Sequence, residues 1–395
     1  MIIMNNYKIK GSVIASPQNL AKALNLTLEE INAANALSTE KRYKEKNLPK
    51  ADGNFRKIYK PNHRIRTIQR RLNKRIFSSS NVIEWPSYLY GSIPNTIGDD
   101  EIEMKKDYVT CASIHCQAKS VLKIDVKDFF DNIHSDLIFN IFIKLFKYPQ
   151  EVAELLTDLC TYKNKLPQGG LTSSYLACLS LFDVEPDVVK RLENKDVKYT
   201  RFVDDITISS QHPNYDFSFA KKLVFDMLHS KDLPINEAKT TVQRLSSAPI
   251  LVHGLRISFK EPRLPPEEAR QIRAAVRNIE KLSKHPDYRT SNAYKKDYNK
   301  CIGRVNKLAR VKHIQHKKLI SRLRKVKPLP NRQAVIRARS MIRQLEHIYP
   351  THLHDYWYKK KYFQAHERLN IIQRSFPNIA KTLRFKLKTI RPQYE

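Results

Sequence analysis

Three aspartates in this chain stand where they could do metal chemistry. Asp204 and Asp205 are adjacent in RFVDDITIS, residues 201–209, between two short apolar-rich runs. Asp125 lies in VLKIDVKDFF, where apolar residues alternate up to the acid and aromatics follow it. Neighbouring carboxylates repel, and water rewards no such clustering. Two Mg²⁺ ions would, because hard oxygen ligands can bridge cations about 3.5–4 Å apart and clamp an in-line displacement at phosphorus. Taken alone, an Asp-Asp pair is more often a surface turn. The chemistry therefore depends on whether the surrounding elements bring the third acid to the pair.

The arms KYTRFV and ITISS flank the pair with β-branched and aromatic residues, which predicts a hairpin with Val203, Asp204 and Asp205 at its tip. VLKIDVKDF at 121–129 and ILVHGLRIS at 250–258 also read as strands. Helical patterns fill the gaps, among them DLIFNIFIKLF at 136–146 and SFAKKLVFDMLH at 218–229. Residues 17–36 read as two short helices, the second opened by a capping box of Thr27 and Glu30. An N-terminal helical clasp is expected there in preference to a DNA-reading helix-turn-helix. Residues 55–76 are dense in Lys and Arg and are expected to begin with a hairpin around Pro61 and Asn62. After Pro265 and Pro266 the pattern is helical to the end. Its apolar stripes, such as Ala269, Ile272, Val276 and Ile279, then Ala338, Met341 and Leu345, then Tyr362, Ala365, Leu369, Ile372 and Phe376, read as core-facing. The sum is an α+β protein.

Charge indicates the partner. Lys and Arg number 72 against 39 Asp and Glu, a net of +33, which suits a polyanion. Residues 261–395 hold 34 of those bases and 10 of the acids, and between Tyr298 and Leu345 there are fifteen bases and no acid. Nucleic acid is the expected ligand of that surface. The five cysteines form no CxxC pair and suggest no disulfide framework, and Cys111, His115 and Cys116 fit no common zinc spacing. A cytoplasmic location is expected, with no signal peptide core at MIIMNNYKIK and no apolar run long enough to span a bilayer. Phosphate-loop patterns of the GxxxxGK[ST] and GxGxxG kinds are missing. Three of the eight glycines, Gly169, Gly170 and Gly254, fall beside the candidate site.

KIDVKDFF, LPQGGLTSS at 166–174, RFVDD and NEAKT at 236–240 follow one another in the order and at about the separation of the palm motifs of reverse transcriptases. The chain resembles that family over roughly residues 18–325. The resemblance implies a right-hand polymerase fold: an N-terminal clasp over 1–50, fingers over 51–120, a palm with an antiparallel sheet over 121–260 and a helical thumb over 261–327. Residues 328–395 are left as a basic, aromatic, helical extension. It implies two Mg²⁺ ions on Asp125, Asp204 and Asp205, with the backbone carbonyl of Val126 as a further ligand. Phe130 would lie beneath the sugar of the incoming deoxynucleotide, where its ring excludes a 2′-hydroxyl. Gln168 and Gly169 would support the template and incoming base pair. Lys60 and Arg66, or Arg64 in place of Arg66, would hold the triphosphate, and Lys239 would stand near the leaving pyrophosphate.

Two further strings resemble the retron subfamily of bacterial reverse transcriptases. CASIH at 111–115 is similar to its NAxxH and VHG at 252–254 to its VTG, with departures at Cys111 and His253, and FVDD stands in place of the commoner YADD. GRVNKLARV at 303–311 resembles the retron thumb. RNA contacts are accordingly expected at His115, His253, Gly254, Arg304, Lys307 and Arg310. This resemblance implies an enzyme that copies part of a structured noncoding RNA into a short single-stranded DNA, msDNA, attached to that RNA. It also implies a role in anti-phage defence beside a separate effector protein. Two alternatives stand beside it: a defence reverse transcriptase with a different primer, and a catalytically silent RNA-binding scaffold. The stretch HDYWYKKKYFQ at 354–364 suits stacking on exposed bases or docking a partner.

Overall fold

The structure is a computed structural model that describes residues 7–49, 53, 55–97 and 103–393. The opening residues read above for a leader segment lie partly outside that range. Two compact units make up the chain, with the division between Arg263 and Leu264.

The first unit is built on a five-stranded sheet in the order Thr241–Arg244, Ser120–Asp125, Asp205–Ser210, Lys198–Phe202, Leu89–Tyr90. Four strands are antiparallel to their neighbours, and the short Leu89–Tyr90 strand runs parallel to Lys198–Phe202. Val121, Leu122 and Ile124 on one strand and Ile206 and Ile208 on the next are buried, which anchors the sheet in the core and fixes its register. The helices Gln150–Cys160, Ser173–Leu179, Glu185–Glu193 and Ser218–His229 contribute Leu156, Leu176, Val189 and Leu223 to the same core.

The N-terminal pair of helices, Pro17–Leu24 and Leu28–Asn35, forms as expected, and the capping box is complete: Thr27 Oγ1 accepts the Glu30 N–H and Glu30 accepts the Thr27 N–H. The hairpin expected around Pro61 and Asn62 is displaced. Its strands are Tyr43–Pro49 and Phe55–Pro61, in register from Tyr43 opposite Pro61. Pro61 ends the second strand, and Asn62 caps the helix His63–Leu72 by accepting the Arg64 N–H at 3.1 Å. An Asn followed by an amphipathic run is a helix start, and that signal outweighs the turn preference of Pro-Asn. The strand read over 250–258 is instead a small hairpin of Leu251–Val252 and Leu255–Arg256, turned at His253 and Gly254, both with positive φ.

The second unit is helical throughout: Pro266–Leu282, Asn292–Arg310, Gln315–Lys325, Arg332–His352, Tyr356–Ile372 and Pro377–Thr389. Ser291 and Asn331 cap two of these helices through their side chains. Ile272, Val276, Ile279, Ala338, Leu345, Ala365 and Leu369 from the apolar stripes are buried. The last three helices share an apolar core of their own, centred on Ala338, Ile342, Tyr358, Ala365 and Leu387. Among the described residues, no helix is long and apolar enough to cross a membrane.

Candidate active site

Phe202 pairs with Asp205, so the hairpin turns on two residues, Val203 and Asp204. Val203 has φ +60°, a left-handed backbone that a β-branched residue adopts only when its surroundings impose it. The next strand contributes to that constraint: the Asp204 carbonyl accepts the Val126 N–H at 3.2 Å. Asp125 lies directly opposite Asp205 in the antiparallel pair, so the two side chains share a face with Cβ atoms about 4.5–5.5 Å apart. The sheet thus brings the three acids together at one edge.

Their electrostatics record the crowding. The Asp205 carboxyl is pushed up to about 6, first by burial and then by the charges of Asp204 and Asp125. Burial and Asp125 also raise Asp204, while Lys239 and Arg56 oppose the rise. Asp125 is engaged differently, accepting from Asn236 Nδ2 at 2.9 Å and from Lys239 Nζ at 3.2 and 3.4 Å. The Asn236 N–H also donates to the Asp125 carbonyl at 2.8 Å, which fixes the NEAKT segment against the strand end.

Among the described residues, no group of three or more His, Cys, Asp or Glu side chains is closed around a cation position. At Asp125 the nearby positive charge is the Lys239 ammonium, 3.2 Å from the carboxylate. The donor set suits Mg²⁺ all the same, being hard oxygens whose mutual repulsion a divalent cation would relieve. Val126 is buried, and its backbone bridges to Ile235 between the turn and the Pro234–Asn236 segment.

The residues expected at the nucleotide form two groups. Phe130 lies in the one-turn helix Phe129–Asn132 that follows the Asp125 strand, half-buried, with Phe129 packed beneath at 6.1 Å between ring centroids. Gln168 and Gly169 dock on the strand Phe55–Pro61: the Tyr59 N–H donates to the Gln168 carbonyl at 2.8 Å. Gly169 has φ +114°, and a Cβ there would stand 2.7 Å from Ile58 Cγ2 and 2.8 Å from the Tyr59 carbonyl, so only glycine allows this approach. Lys60 is exposed one residue further along the strand, and Arg66 lies one turn into the Asn62-capped helix. Arg64 turns away and donates to the Ala33 carbonyl at 3.2 Å.

Sequence reading missed Arg56, whose charge is felt at Asp204. Strand alternation carried the signal, because Arg56 shares a face with Lys60. It also missed Asn236 as the partner of Asp125 and Arg201 as a buried support of the turn.

The RNA contacts expected from the two retron-like strings are corrected at His115. Its ring is fully buried, with Nδ1 2.7 Å from Ser209 Oγ and Nε2 2.8 Å from Thr200 Oγ1, so it ties two strands of the sheet together and cannot reach RNA. His253 spends its ring on Phe202, 4.8 Å between centroids, and its Nε2 on Cys111 Sγ at 3.3 Å. The three departures at Cys111, Phe202 and His253 therefore form one contact group. Gly254 beside them is exposed. In the second unit Arg304, Lys307 and Arg310 are exposed on one face of the helix Asn292–Arg310, and Lys307 pairs with Glu268 at 2.7 Å.

The burial of His115 carries a testable consequence. Burial holds its pKa down at about 3, whereas an unfolded His titrates near 6.5. As pH falls below 6.5 the unfolded chain takes up a proton that the native ring refuses, so stability drops by about 1.4 kcal/mol per unit. Urea midpoints measured at pH 7.5 and 5 are expected to differ by more in the wild type than in His115→Gln. Equal differences in the two proteins would remove the assignment.

A two-residue hairpin presenting paired aspartates beside a third, on an antiparallel sheet with a fingers hairpin docked through a Gln-Gly loop, defines the palm of a nucleic acid polymerase. The family model "Reverse transcriptase (RNA-dependent DNA polymerase)" matches residues 48–280. This chain belongs to that family, and within it to the retron-type reverse transcriptases. It is 41% identical to the Retron Ec48 reverse transcriptase of Escherichia coli over 98% of this chain and 95% of that protein. It is 29% identical to the Retron Se72 reverse transcriptase of Salmonella heidelberg (strain 579083-10) over 98% of this chain and all of that one. The Retron Ec86 reverse transcriptase of Escherichia coli is 26% identical over 70% of this chain and 82% of that protein. Among solved structures, telomerase from Candida albicans in complex with a fragment of telomeric RNA has a TM-score of 0.39 at 14% identity, covering 88% of this chain and 66% of that one.

Proposed function

We propose that this RNA-directed DNA polymerase is a retron enzyme that copies part of a structured noncoding RNA into short single-stranded DNA by two-metal nucleotidyl transfer. The observation that carries the reading is the register of Asp125 opposite Asp205 beside a two-residue turn bearing Asp204. Two Mg²⁺ ions held by Asp125, Asp204 and Asp205, with the Val126 carbonyl as a further ligand, would neutralise charge on the transferring phosphoryl group and activate the attacking hydroxyl.

The chain's own groups do the remaining work. Lys239, which pairs with Asp125 at 3.2 Å, would be the cation nearest the departing pyrophosphate, while Lys60, Arg66 and Arg56 would gather the triphosphate. Phe130 closes the sugar pocket against a 2′-hydroxyl. Gln168 and Gly169, pinned on the fingers strand, place the templating base pair. Arg304, Lys307 and Arg310 hold RNA phosphates, and the exposed Gly254 leaves room for backbone approach at the small hairpin. Trp357 and Phe363, both exposed in the extension, offer stacking faces to unpaired bases. A role in anti-phage defence with a separate effector protein follows from the retron reading.

The test is to express the full chain with the noncoding RNA from its own locus and to sequence the nucleic acid that copurifies. A DNA joined to RNA through a 2′-linked branch is expected. DNA synthesis on an external primer without any branch would replace the retron reading by that of a differently primed defence reverse transcriptase. No deoxynucleotide incorporation would leave the RNA-binding scaffold.

A further inference from the structure

The support of the catalytic turn is an ion pair with no exposure to solvent. Arg201, the first residue of RFVDD, and Glu185, at the start of the helix Glu185–Glu193, are both fully buried. Arg201 uses all five of its donors. Nε and one Nη2 hydrogen go to the two oxygens of Glu185, the other Nη2 hydrogen to the Cys178 carbonyl at 2.8 Å, and Nη1 to the Ala177 carbonyl at 3.4 Å and the Val203 carbonyl at 3.1 Å. Glu185 accepts in addition from Tyr199 at 2.8 Å and from Tyr7 at 3.4 Å, and the Tyr7 hydroxyl also lies 3.0 Å from the Cys178 carbonyl.

Stability alone does not account for this arrangement. An apolar pair of similar volume generally serves a core as well as a buried ion pair does. What an apolar pair cannot supply is a donor to Val203, whose left-handed φ of +60° needs a fixed partner to persist. The same guanidinium reaches the last turn of the helix Ser173–Leu179, which begins just after the Gln168–Gly169 loop. Through Glu185 it reaches Tyr7, next to the short strand Lys8–Ile9 that pairs with Ile83–Glu84.

We propose that Arg201, oriented by Glu185 and Tyr7, is a positioning residue that holds the Val203 carbonyl so that the carboxylates of Asp204 and Asp205 are presented for metal binding. The N-terminal segment is thereby part of the support of the active site and more than a covering clasp. The proposal rests on the polymerase reading of the three aspartates.

The experiment compares full-length wild type, Arg201→Lys, Glu185→Gln and Tyr7→Phe. Three quantities are read: Mn²⁺ affinity of the nucleotide-free protein by electron paramagnetic resonance, single-turnover incorporation on an RNA template with an annealed DNA primer, and thermal unfolding. Lysine keeps the charge and loses the fork, so Arg201→Lys is expected to weaken Mn²⁺ binding and slow incorporation, each by about 10- to 100-fold, with the KM for deoxynucleotide unchanged. Tyr7→Phe is expected to shift both in the same direction by less, with its melting temperature near that of wild type. Should Arg201→Lys fail to fold, Tyr7→Phe and Glu185→Gln decide.

Folded variants with the Mn²⁺ affinity and single-turnover rate of wild type would overturn the proposal. So would losses that merely follow the fraction of protein folded. Failure of the underlying polymerase reading is seen separately, as a wild type that incorporates nothing and whose Mn²⁺ binding is indifferent to Asp204→Asn.

Discussion

Asp205→Asn is expected to abolish DNA synthesis while leaving the protein folded and, without metal, somewhat more stable. The first effect follows from the loss of a hard anionic ligand at the reacting phosphorus, at least about 10³-fold in rate. The second follows from the sign of the shift. Asp205 has its carboxyl raised to about 6, so its ionised form is disfavoured in the native state at neutral pH, and native stability is gained as pH falls through 6 towards the unfolded value near 4. Asn carries no such cost. Discounted for the exposure of this side chain, the relief is about 1 kcal/mol, or roughly 2 °C in melting temperature. Mg²⁺ is expected to raise the melting temperature of wild type and to leave that of the variant unchanged. A variant that loses both activity and stability would mean that Asp205 serves the fold.

The second large effect is the salt dependence of RNA affinity. With about six phosphates held by Lys and Arg, affinity is expected to fall about 10³-fold between 50 and 200 mM salt. Arg304→Ala is expected to lower the log–log slope by about 1 and to weaken binding uniformly across RNA sequences. Lys307→Ala is expected to cost less, because Lys307 must first leave Glu268, 2.7 Å away. Binding curves at four salt concentrations measure both. A flat dependence would remove phosphate contact as the function of this basic surface.

The catalytic core was legible in the sequence because its signals are local. Alternation in KYTRFV and ITISS marked the hairpin and the apolar run before Asp125 marked a strand, while the expectation that the third acid meets the pair came from the order of the palm motifs; in the structure Asp125 lies opposite Asp205. The helical second unit was legible for the same reason, since stripes such as Ile272, Val276 and Ile279 repeat at helical spacing.

What was missed depends on distant partners or on competing local preferences. His115 reads as an exposed polar residue until Ser209 and Thr200, some ninety residues away, are seen to occupy both ring nitrogens. Pro61 and Asn62 offer both a turn and a helix cap; the amphipathic run after Asn62 favours the cap, and the pairing of Tyr43 with Pro61 places the hairpin upstream of it. The strand read over 250–258 breaks at His253 because that residue has a left-handed backbone, which no periodicity reveals. Arg201 carries no local sign of its partner Glu185, sixteen residues away. Its burial against Glu185 becomes visible only when the helix Glu185–Glu193 is packed under the sheet.

The most direct test is a structure of the full chain with an RNA template, an annealed primer, a non-hydrolysable deoxynucleotide and Mn²⁺, in which anomalous scattering locates the ions. Two peaks about 3.5–4 Å apart are expected, bridged by Asp125, Asp204 and Asp205, with the Lys239 ammonium withdrawn from Asp125. A complex with nucleotide bound, no ion between these carboxylates and Lys239 still on Asp125 would contradict the assignment of this hairpin as the site of polymerisation.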